Sequence, residues 1–380
     1  MPNPRTIADI PTPALLLDKS ILERNIRRMA DKVGAMGARL RPHIKTHKCV
    51  EIARLQQQHG SQGITVATIV EARDFADAGF DDITWAVPLI PSRLDEVVAL
   101  ARRITFRVLV ESAEAVDALE AAAKAANLRL HVWLEMDCGY HRSGVDPDAP
   151  VALPLAQRLA ASPHLEFDGI LTHAGNSYAA REAEHRAAIA TEERECITSF
   201  ARKLRKQGIT VPSVSVGSTP SLAATTSLEG IDEARPGNYV FNDWMQAASG
   251  VCDPADVAVS VLTTVISHQP ALPHCIVDAG ALAMSKDAGP PHPDLRRGLG
   301  PLYRGLTGDS LDPRVDLQHA SQEHGFVGGP RAADIEGRFP VGERLRIMPN
   351  HSCLTAAMFD EYWVVQGEQV LDRWKILRGR

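Results

Sequence analysis

Several stretches of this chain combine residue types that can do chemistry. One is Arg41-Pro42-His43-Ile44-Lys45-Thr46-His47-Lys48. A lysine at the end of a short strand, crowded by two histidines, an arginine and a second lysine, sits in a positive field. That field disfavours the ammonium form and lowers the lysine pKa, as a Schiff-base amine or a general base requires. The same residues also suit a basic surface loop. Gly217-Ser218-Thr219-Pro220 closes a strand and opens a helix with Thr219 or Ser221 as its cap. Amides, hydroxyls and the helix dipole there make either a phosphate cradle or a plain capped turn. Arg235-Pro236-Gly237-Asn238-Tyr239 supplies a second glycine turn next along. Far downstream, His351-Ser352-Cys353 offers imidazole and thiolate, the ligands zinc prefers. Two ligands do not make a closed structural site, but they suit an open Lewis-acid site; a loop histidine beside a buried thiol is the alternative.

Two further stretches are loaded. Thr172-His173-Ala174-Gly175-Asn176-Ser177-Tyr178 presents a histidine that can lie against a flat cofactor or be satisfied by local backbone. Glu135-Met136-Asp137-Cys138-Gly139-Tyr140-His141-Arg142 holds a thiol near a histidine, which invites a nucleophile or metal reading. Arg142 is the stronger functional candidate, with Cys138 buried and inert.

These residues need a scaffold that brings them together. Strand-like runs at Arg39–Ile44, Gly63–Ile69, Asp82–Val87, Thr105–Val110, Leu130–Met136, Phe167–His173, Ser213–Gly217 and around Glu233–Pro236 alternate with helical patterns. The helical patterns are Val50–His59, Val70–Ala78, Ser92–Arg102, Ala113–Ala126, Pro154–Ala161, Arg181–Gln207 and Leu222–Leu228. That rhythm predicts an α/β fold, a (β/α)8 TIM barrel, whose chemistry sits at the C-terminal strand ends. A doubly wound sheet is the rival, weakened by the lack of a Gly-rich fingerprint after the first strand. The strand ends carry Lys45, Thr68, Glu135 to Arg142, His173 to Tyr178, Gly217 to Thr219 and Arg235 to Tyr239. The two glycine turns fall at strands seven and eight, where barrels often bind phosphate. Before the barrel, Thr12–Asp18 reads as a buried strand, followed by a helix with Ser20 as cap and Glu23 completing a capping box. Beyond Asp243, the runs Ala258–Ile266, His274–Asp278, Arg344–Met348, Tyr362–Gln366 and Gln369–Ile376 predict a β-rich domain, joined by the Thr12–Leu17 strand. The expected domains are a barrel over 18–245 and a β-rich domain over 1–17 and 246–380.

The chain has 380 residues, 44% hydrophobic and 23% charged, with a net charge of -6. That is a soluble composition with no basic run, which argues against nucleic acid as partner. No apolar run reaches membrane length, and the N-terminus has no signal-peptide core. Six cysteines without framework spacing read as reduced thiols of a cytoplasmic protein.

The ordered set resembles the fold-type III pyridoxal-phosphate enzymes, and within them the D-serine dehydratase and D-threonine aldolase family. The match runs from Thr12-Pro13-Ala14-Leu15 through the Lys45 stretch, Gly217-Ser218-Thr219-Pro220 and Arg235-Pro236-Gly237-Asn238-Tyr239 to Pro349-Asn350-His351-Ser352-Cys353. The resemblance implies an alanine racemase N-terminal-like barrel and a homodimer. It implies that Lys45 carries pyridoxal 5'-phosphate and acts as catalytic base, and that His173 lies against the ring. Arg142 would approach the phenolic oxygen, Arg235 would address the pyridine nitrogen, and Tyr178 would line the pocket. Gly217, Ser218, Thr219, Gly237 and Asn238 would hold the phosphate. His351 and Cys353 would bind a divalent metal, typically zinc, with manganese, cobalt, nickel or magnesium as alternatives. The aldolase branch tends to carry His-x-Asp where this chain has His351-Ser352-Cys353, so the resemblance favours a dehydratase.

The implied substrate is a β-hydroxy amino acid, D-threo-3-hydroxyaspartate first, giving oxaloacetate and ammonia. Arg41 and His43 are candidates to read its side-chain carboxylate. D-serine dehydration and retro-aldol cleavage are the enzymatic rivals, with a metal-free racemase behind them. A non-catalytic cofactor carrier is the rival of another class, but such carriers usually consist of the barrel alone.

Overall fold

The computed structural model describes residues 4–308, 310–329, 335 and 337–379. A buried strand, β1 (Ala14–Asp18), leads into helix α1 (Lys19–Ala35). The helix starts one residue before the expected Ser20 cap. Asp18 takes the capping role, its Oδ1 accepting from the Ile21 amide at 3.0 Å.

The alternation then follows as β2 (Arg39–Leu40), α2 (Val50–Gln58), β3 (Ile64–Val66), α3 (Ile69–Asp77), β4 (Asp82–Pro88), α4 (Leu94–Ala101), β5 (Thr105–Val110), α5 (Ala113–Ala126), β6 (Leu130–Glu135), α6 (Ala152–Ala161), β7 (Leu165–Leu171), α7 (Ala183–Lys206), β8 (Ser213–Val216), α8 (Thr219–Ala224) and β9 (Glu233–Ala234). The eight strands β2 to β9 pair in the order β2-β9-β8-β7-β6-β5-β4-β3. All these pairings are parallel. The ends meet: the Gln62 amide donates to the Leu40 carbonyl and the Thr65 amide to the Pro42 carbonyl, each at 2.8 Å. The curled sheet is thereby closed, as the expected (β/α)8 barrel requires. Inside it, Leu109, Trp133 and Leu171 pack as one cluster.

At the N-terminal strand ends, Arg41 ties the first residue of β9 to the first residue of β4. Its Nε lies 2.6 Å from Glu233 and its Nη1 2.7 Å from Asp82. Burial works against all these charges, yet the pairing raises the Arg41 pKa and lowers those of Glu233 and Asp82.

Two departures from the expected elements bear on the site. The first barrel strand stops at Leu40, and Ile44–Thr46 forms a single helical turn headed by His43. Pro42 has no N–H for a ladder, so the regular strand ends there, although the Arg41 and His43 amides still donate to the Ala234 and Pro236 carbonyls. The helix expected at Leu222–Leu228 is α8. It begins earlier because Ser218, not Thr219 or Ser221, is its cap, its Oγ accepting from the Ser221 amide at 3.1 Å.

The remaining strands are β10 (Val259–His268), β11 (His274–Val277), β12 (Gly300–Tyr303), β13 (Leu311–Ala320), β14 (Gly325–Gly328), β15 (Arg344–Ile347), β16 (Glu361–Gln366) and β17 (Gln369–Lys375). Short helices α9 (Trp244–Ala248), α10 (Ala281–Met284) and α11 (Ser352–Ala356) lie among them. With β1 they form a nine-stranded sheet ordered β11-β14-β13-β12-β15-β10-β1-β16-β17, and β10 also pairs with β11. β1 runs antiparallel to β10 and parallel to β16, so the N-terminal strand joins this sheet as expected. Its core gathers Ile7, Ile10, Leu16, Leu262, Trp363 and Val365. Compactness divides the chain into two units, Arg28–Gly237 on one side and the residues up to Arg27 with Asn238–Arg378 on the other. Among the described residues, no helix is long and apolar enough to cross a membrane.

Candidate active site

In the barrel unit, Lys45 is the exposed residue of the single turn after β2, between buried Ile44 and Thr46. Its amide donates to His43 Nδ1 at 3.4 Å. The field around it is not the one its sequence neighbours suggest. Arg41 is buried and held by Glu233 and Asp82, so it is not available to read a substrate carboxylate. Lys48 pairs with Glu71 at 3.1 Å. His47 is buried, its Nδ1 accepting from the Cys49 amide at 3.1 Å, and burial pushes its pKa down to about 3. His43, by contrast, contacts the Lys45 amide and feels its charge. Burial, then Lys45, His173 and Arg235, drive His43 well below the usual imidazole range.

His173 follows β7 and donates from Nδ1 to the Gly217 carbonyl. Its pKa falls to about 3 through burial, with Lys45, Arg142 and Arg235 adding repulsion. It is therefore a neutral imidazole whose tautomer is set by backbone. Arg142 stacks its guanidinium 5.4 Å over the Tyr140 ring, whose edge meets His173 at 6.3 Å between centroids. Arg235 is buried, donating to Ser215 Oγ and, at 2.6 Å, to the Thr172 carbonyl. Tyr178 is half-buried in the turn Gly175–Ala179.

Ser218 Oγ lies 2.7 Å from Ser177 Oγ and 2.8 Å from Ser221 Oγ, a buried hydroxyl cluster at the head of α8. Gly217 behaves differently from expectation. Its N–H donates to Glu193 at 3.2 Å, which takes that amide away from any phosphate. What the position needs is glycine's backbone: φ is +154°, and a Cβ would come within 2.6 Å of the Arg235 amide. Gly237 is equally confined, since a Cβ there would meet the His43 carbonyl at 2.9 Å.

The donor set fits pyridoxal phosphate. Three cations, Lys45, Arg142 and Arg235, share an electrostatic neighbourhood with two neutral imidazoles, and hydroxyls cluster at a helix start. Such a set suits an anionic, flat, phosphate-bearing molecule.

The neighbouring reading of Cys138 and His141 as a reactive pair is not supported. His141 is exposed and bonds Asp137 at 2.7 Å. Cys138 packs against Ala174, Ala180 and Ile189, and burial lifts its thiol to about 12.

In the second unit, His351 heads α11 and Cys353 lies in its first turn. His351 Nδ1 is 3.1 Å from Asp287 Oδ2, and its other hydrogen-bond partner is the Cys353 thiol. Burial opposes the charge on His351, but Asp287, Cys353 and Asp243 raise its pKa to about 11. Asp243 is buried, capping α9 and receiving both the amide and the hydroxyl of Ser352, at 3.0 and 3.2 Å. Asn238 donates from Nδ2 to Asp243 and to Ser352, each at 2.9 Å, and lies 3.7 Å from Cys353 Sγ. Its amide nitrogen is thus committed to Asp243 and the turn at 351–353, and a donor role toward a phosphate would fall to its main chain. Among the described residues, no group of three or more His, Cys, Asp or Glu clusters as a metal site. The His351–Cys353 pair fits an open site: Asp287 engages Nδ1, and a metal bound by the pair would take the place of the contact between imidazole and thiol.

Sequence reasoning missed Asp287, Asp243 and Glu193. Asp287 and Asp243 act from far along the chain and carry no local signal. Glu193 had one, since it falls in line with Ile189 and Ile197 on the buried stripe of α7.

Known proteins frame this geometry. The family model described as alanine racemase, N-terminal domain, matches residues 17–243, and a putative serine dehydratase domain matches residues 258–365. The chain is 41% identical over 378 residues to D-threo-3-hydroxyaspartate dehydratase of Delftia sp. (strain HT23), covering 98% of this chain and 99% of that one. It is 32% identical to D-serine dehydratase of Dictyostelium discoideum, covering 98% of each. The solved Delftia dehydratase matches with a TM-score of 0.93 at 40% identity, covering 99% of this chain and all of that one. D-threonine aldolase from Filomicrobium marinum matches with a TM-score of 0.86 at 28% identity, covering 99% and 98%. The chain belongs to the D-serine dehydratase and D-threonine aldolase family, enzymes that join an alanine-racemase-type barrel to a serine dehydratase domain.

Proposed function

We propose that this enzyme removes water from D-threo-3-hydroxyaspartate, using pyridoxal phosphate and a divalent metal, to give oxaloacetate and ammonia. The observation that carries the reading is the turn at 351–353. There an imidazole held by a carboxylate lies within hydrogen-bond reach of a thiol, the donor pair of a dehydratase rather than of an aldolase. The full-length likeness to a D-threo-3-hydroxyaspartate dehydratase supports the substrate.

Pyridoxal phosphate, when bound, supplies the electron sink that makes a Cα proton removable. A divalent metal on His351 and Cys353, zinc by preference for this donor pair, supplies Lewis acidity toward a hydroxyl. Lys45 is the base that takes and holds the Cα proton at Nζ. His173 presents a neutral ring, Arg142 and Arg235 supply fixed positive charge, and Tyr178 lines the pocket. Ser218, Thr219, Gly237 and Asn238 hold the phosphate, while Gly217 shapes the turn. The proposed domains are a cofactor-binding barrel over 18–245 and a metal-bearing β-rich domain. A cytoplasmic homodimer completes the proposal; the six free cysteines support a reducing compartment.

The test is a product assay across D- and L-3-hydroxyaspartate, D-serine and D-threonine, with and without divalent metal. Keto acid and ammonia from the D-threo isomer, lost on chelation and in Lys45→Ala, are the expected result. Glycine and an aldehyde as products would make the enzyme an aldolase. Full activity without any metal would remove the role of His351 and Cys353.

A further inference from the structure

α7 carries a carboxylate where an apolar residue would pack. Glu193 lies between Ile189 and Ile197 on the buried stripe and is 3% exposed. Burial raises its pKa, so its presence there is costly. Its partners explain the position. Oε1 accepts from the Ala174 amide at 3.1 Å and from the Gly217 amide at 3.2 Å, and Ser221 hydrogen-bonds the same side chain. Ala174 follows His173, and the Gly217 carbonyl receives the His173 Nδ1–H. The contacts form a closed loop: carboxylate to Gly217, Gly217 to the imidazole, and the residue after the imidazole back to the carboxylate. One side chain thus joins the segment after β7 to the segment after β8.

We propose that Glu193 is a positioning residue for the cofactor, setting the His173 ring and the Gly217–Thr219 turn in register. This rests on the reading that the barrel unit binds pyridoxal phosphate. Glu193 acts through hydrogen-bond reach, not through its charge. Glutamine preserves the reach and an accepting oxygen. Aspartate preserves the charge but is one methylene too short to serve both amides.

The experiment titrates cofactor-free wild type, E193Q, E193D and E193A with pyridoxal phosphate, following visible absorbance and induced circular dichroism. Thermal melts of the cofactor-free proteins run alongside. E193D is expected to bind the cofactor about tenfold more weakly, the scale of one or two lost hydrogen bonds. Its dichroic band should change, while E193Q stays within about threefold of wild type with the band retained. E193A should resemble E193D; if it does not fold, the E193Q and E193D pair still decides. A purely structural role would lower the melting temperature without altering the band of the bound cofactor. Wild-type affinity and band in E193D, or an E193Q as impaired as E193D, overturns the proposal. Failure of wild type itself to bind pyridoxal phosphate would instead overturn the cofactor reading.

Discussion

Asp287→Asn tests the metal assignment without touching either ligand. The carboxylate lies 3.1 Å from His351 Nδ1, and its Oδ1 separately accepts from the Gly289 amide at 2.8 Å. Asparagine can keep Oδ1 on Gly289, but its amide nitrogen then faces Nδ1 and can only donate. The imidazole is driven toward the tautomer protonated at Nε2, which cannot ligate there. Turning the amide over restores the His351 bond and loses Gly289. Losing such a supporting carboxylate typically costs 10–100-fold in metal affinity, about 1.4–2.7 kcal/mol. An opposing effect must be subtracted. The metal has to displace a proton from His351, whose pKa is raised to about 11, and Asp287 is the foremost of the groups holding that proton on. Asparagine weakens that competition, so the net expectation near neutral pH is the lower end, about tenfold. Titrating chelator-stripped protein with zinc against a chromophoric competitor measures it. Unchanged or tighter binding in D287N would refute the argument that Asp287 orients His351 for a metal.

Other perturbations probe the scaffold. Arg41→Met removes the cation that joins Glu233 to Asp82 but leaves Asp82 with Arg107 and Glu233 with Ser215 and the field of Arg235, so the loss falls at or below the lower end of the about 3–5 kcal/mol of a buried pair broken outright. Chemical denaturation should show that loss, and a change under about 1 kcal/mol would contradict it. His47 has a folded pKa of about 3 against an ordinary 6.5. As pH falls below about 6.5, the unfolded chain gains a proton the folded one refuses, so stability drops by up to about 1.4 kcal/mol per pH unit. His47→Asn, which keeps an acceptor for the Cys49 amide, should lessen the slope between pH 5 and about 6.5, to which His43 and His173 add with the same sign; an unaltered slope rules out a contribution from His47. Gly237→Ala pushes a Cβ against the His43 carbonyl and Thr46 Oγ1, so the turn bearing Lys45 must shift. The overpacking scale of about 1–3 kcal/mol predicts a fall in cofactor affinity of about tenfold or more, read by the same absorbance titration.

The barrel was legible because its signal is local. Each expected strand from Arg39 to Glu233 has a counterpart in β2 to β9, since apolar runs between capped helices leave few alternatives. The β-rich unit was legible only in part. β12, β13 and β14 lie in the segment rich in proline and glycine, and register shifts interrupt β12–β13 and β13–β14 pairing. Pro313 within β13 masks the strand pattern further. Among the candidate site residues, those on short motifs stand out in the sequence, because glycine turns and His-x-Cys spacing are read within a few residues. Asp287 and Asp243 were not, because a carboxylate in a loop looks the same whether it faces water or an imidazole.

Lys45 shows where such reading stops in principle. The motif places the amine correctly, after the first barrel strand, but its sequence neighbours do not make its field. Arg41 and Lys48 spend their charge on Glu233, Asp82 and Glu71, and His47 is a buried neutral ring accepting from the Cys49 amide just before α2. The groups whose protonation feels Lys45 are His43 beside it and His173 from across the barrel, and Arg235 acts on both. At short range, a charge brought by topology outweighs one nearby in sequence that is already paired, because a paired charge presents only the remainder of a dipole. A scan of single substitutions against the pH dependence of Cα deprotonation would separate the two origins. A neutral residue at Arg235 should move the profile, and a neutral residue at Lys48 should leave it in place. A profile that follows Lys48 instead would return the control of the base to its own segment.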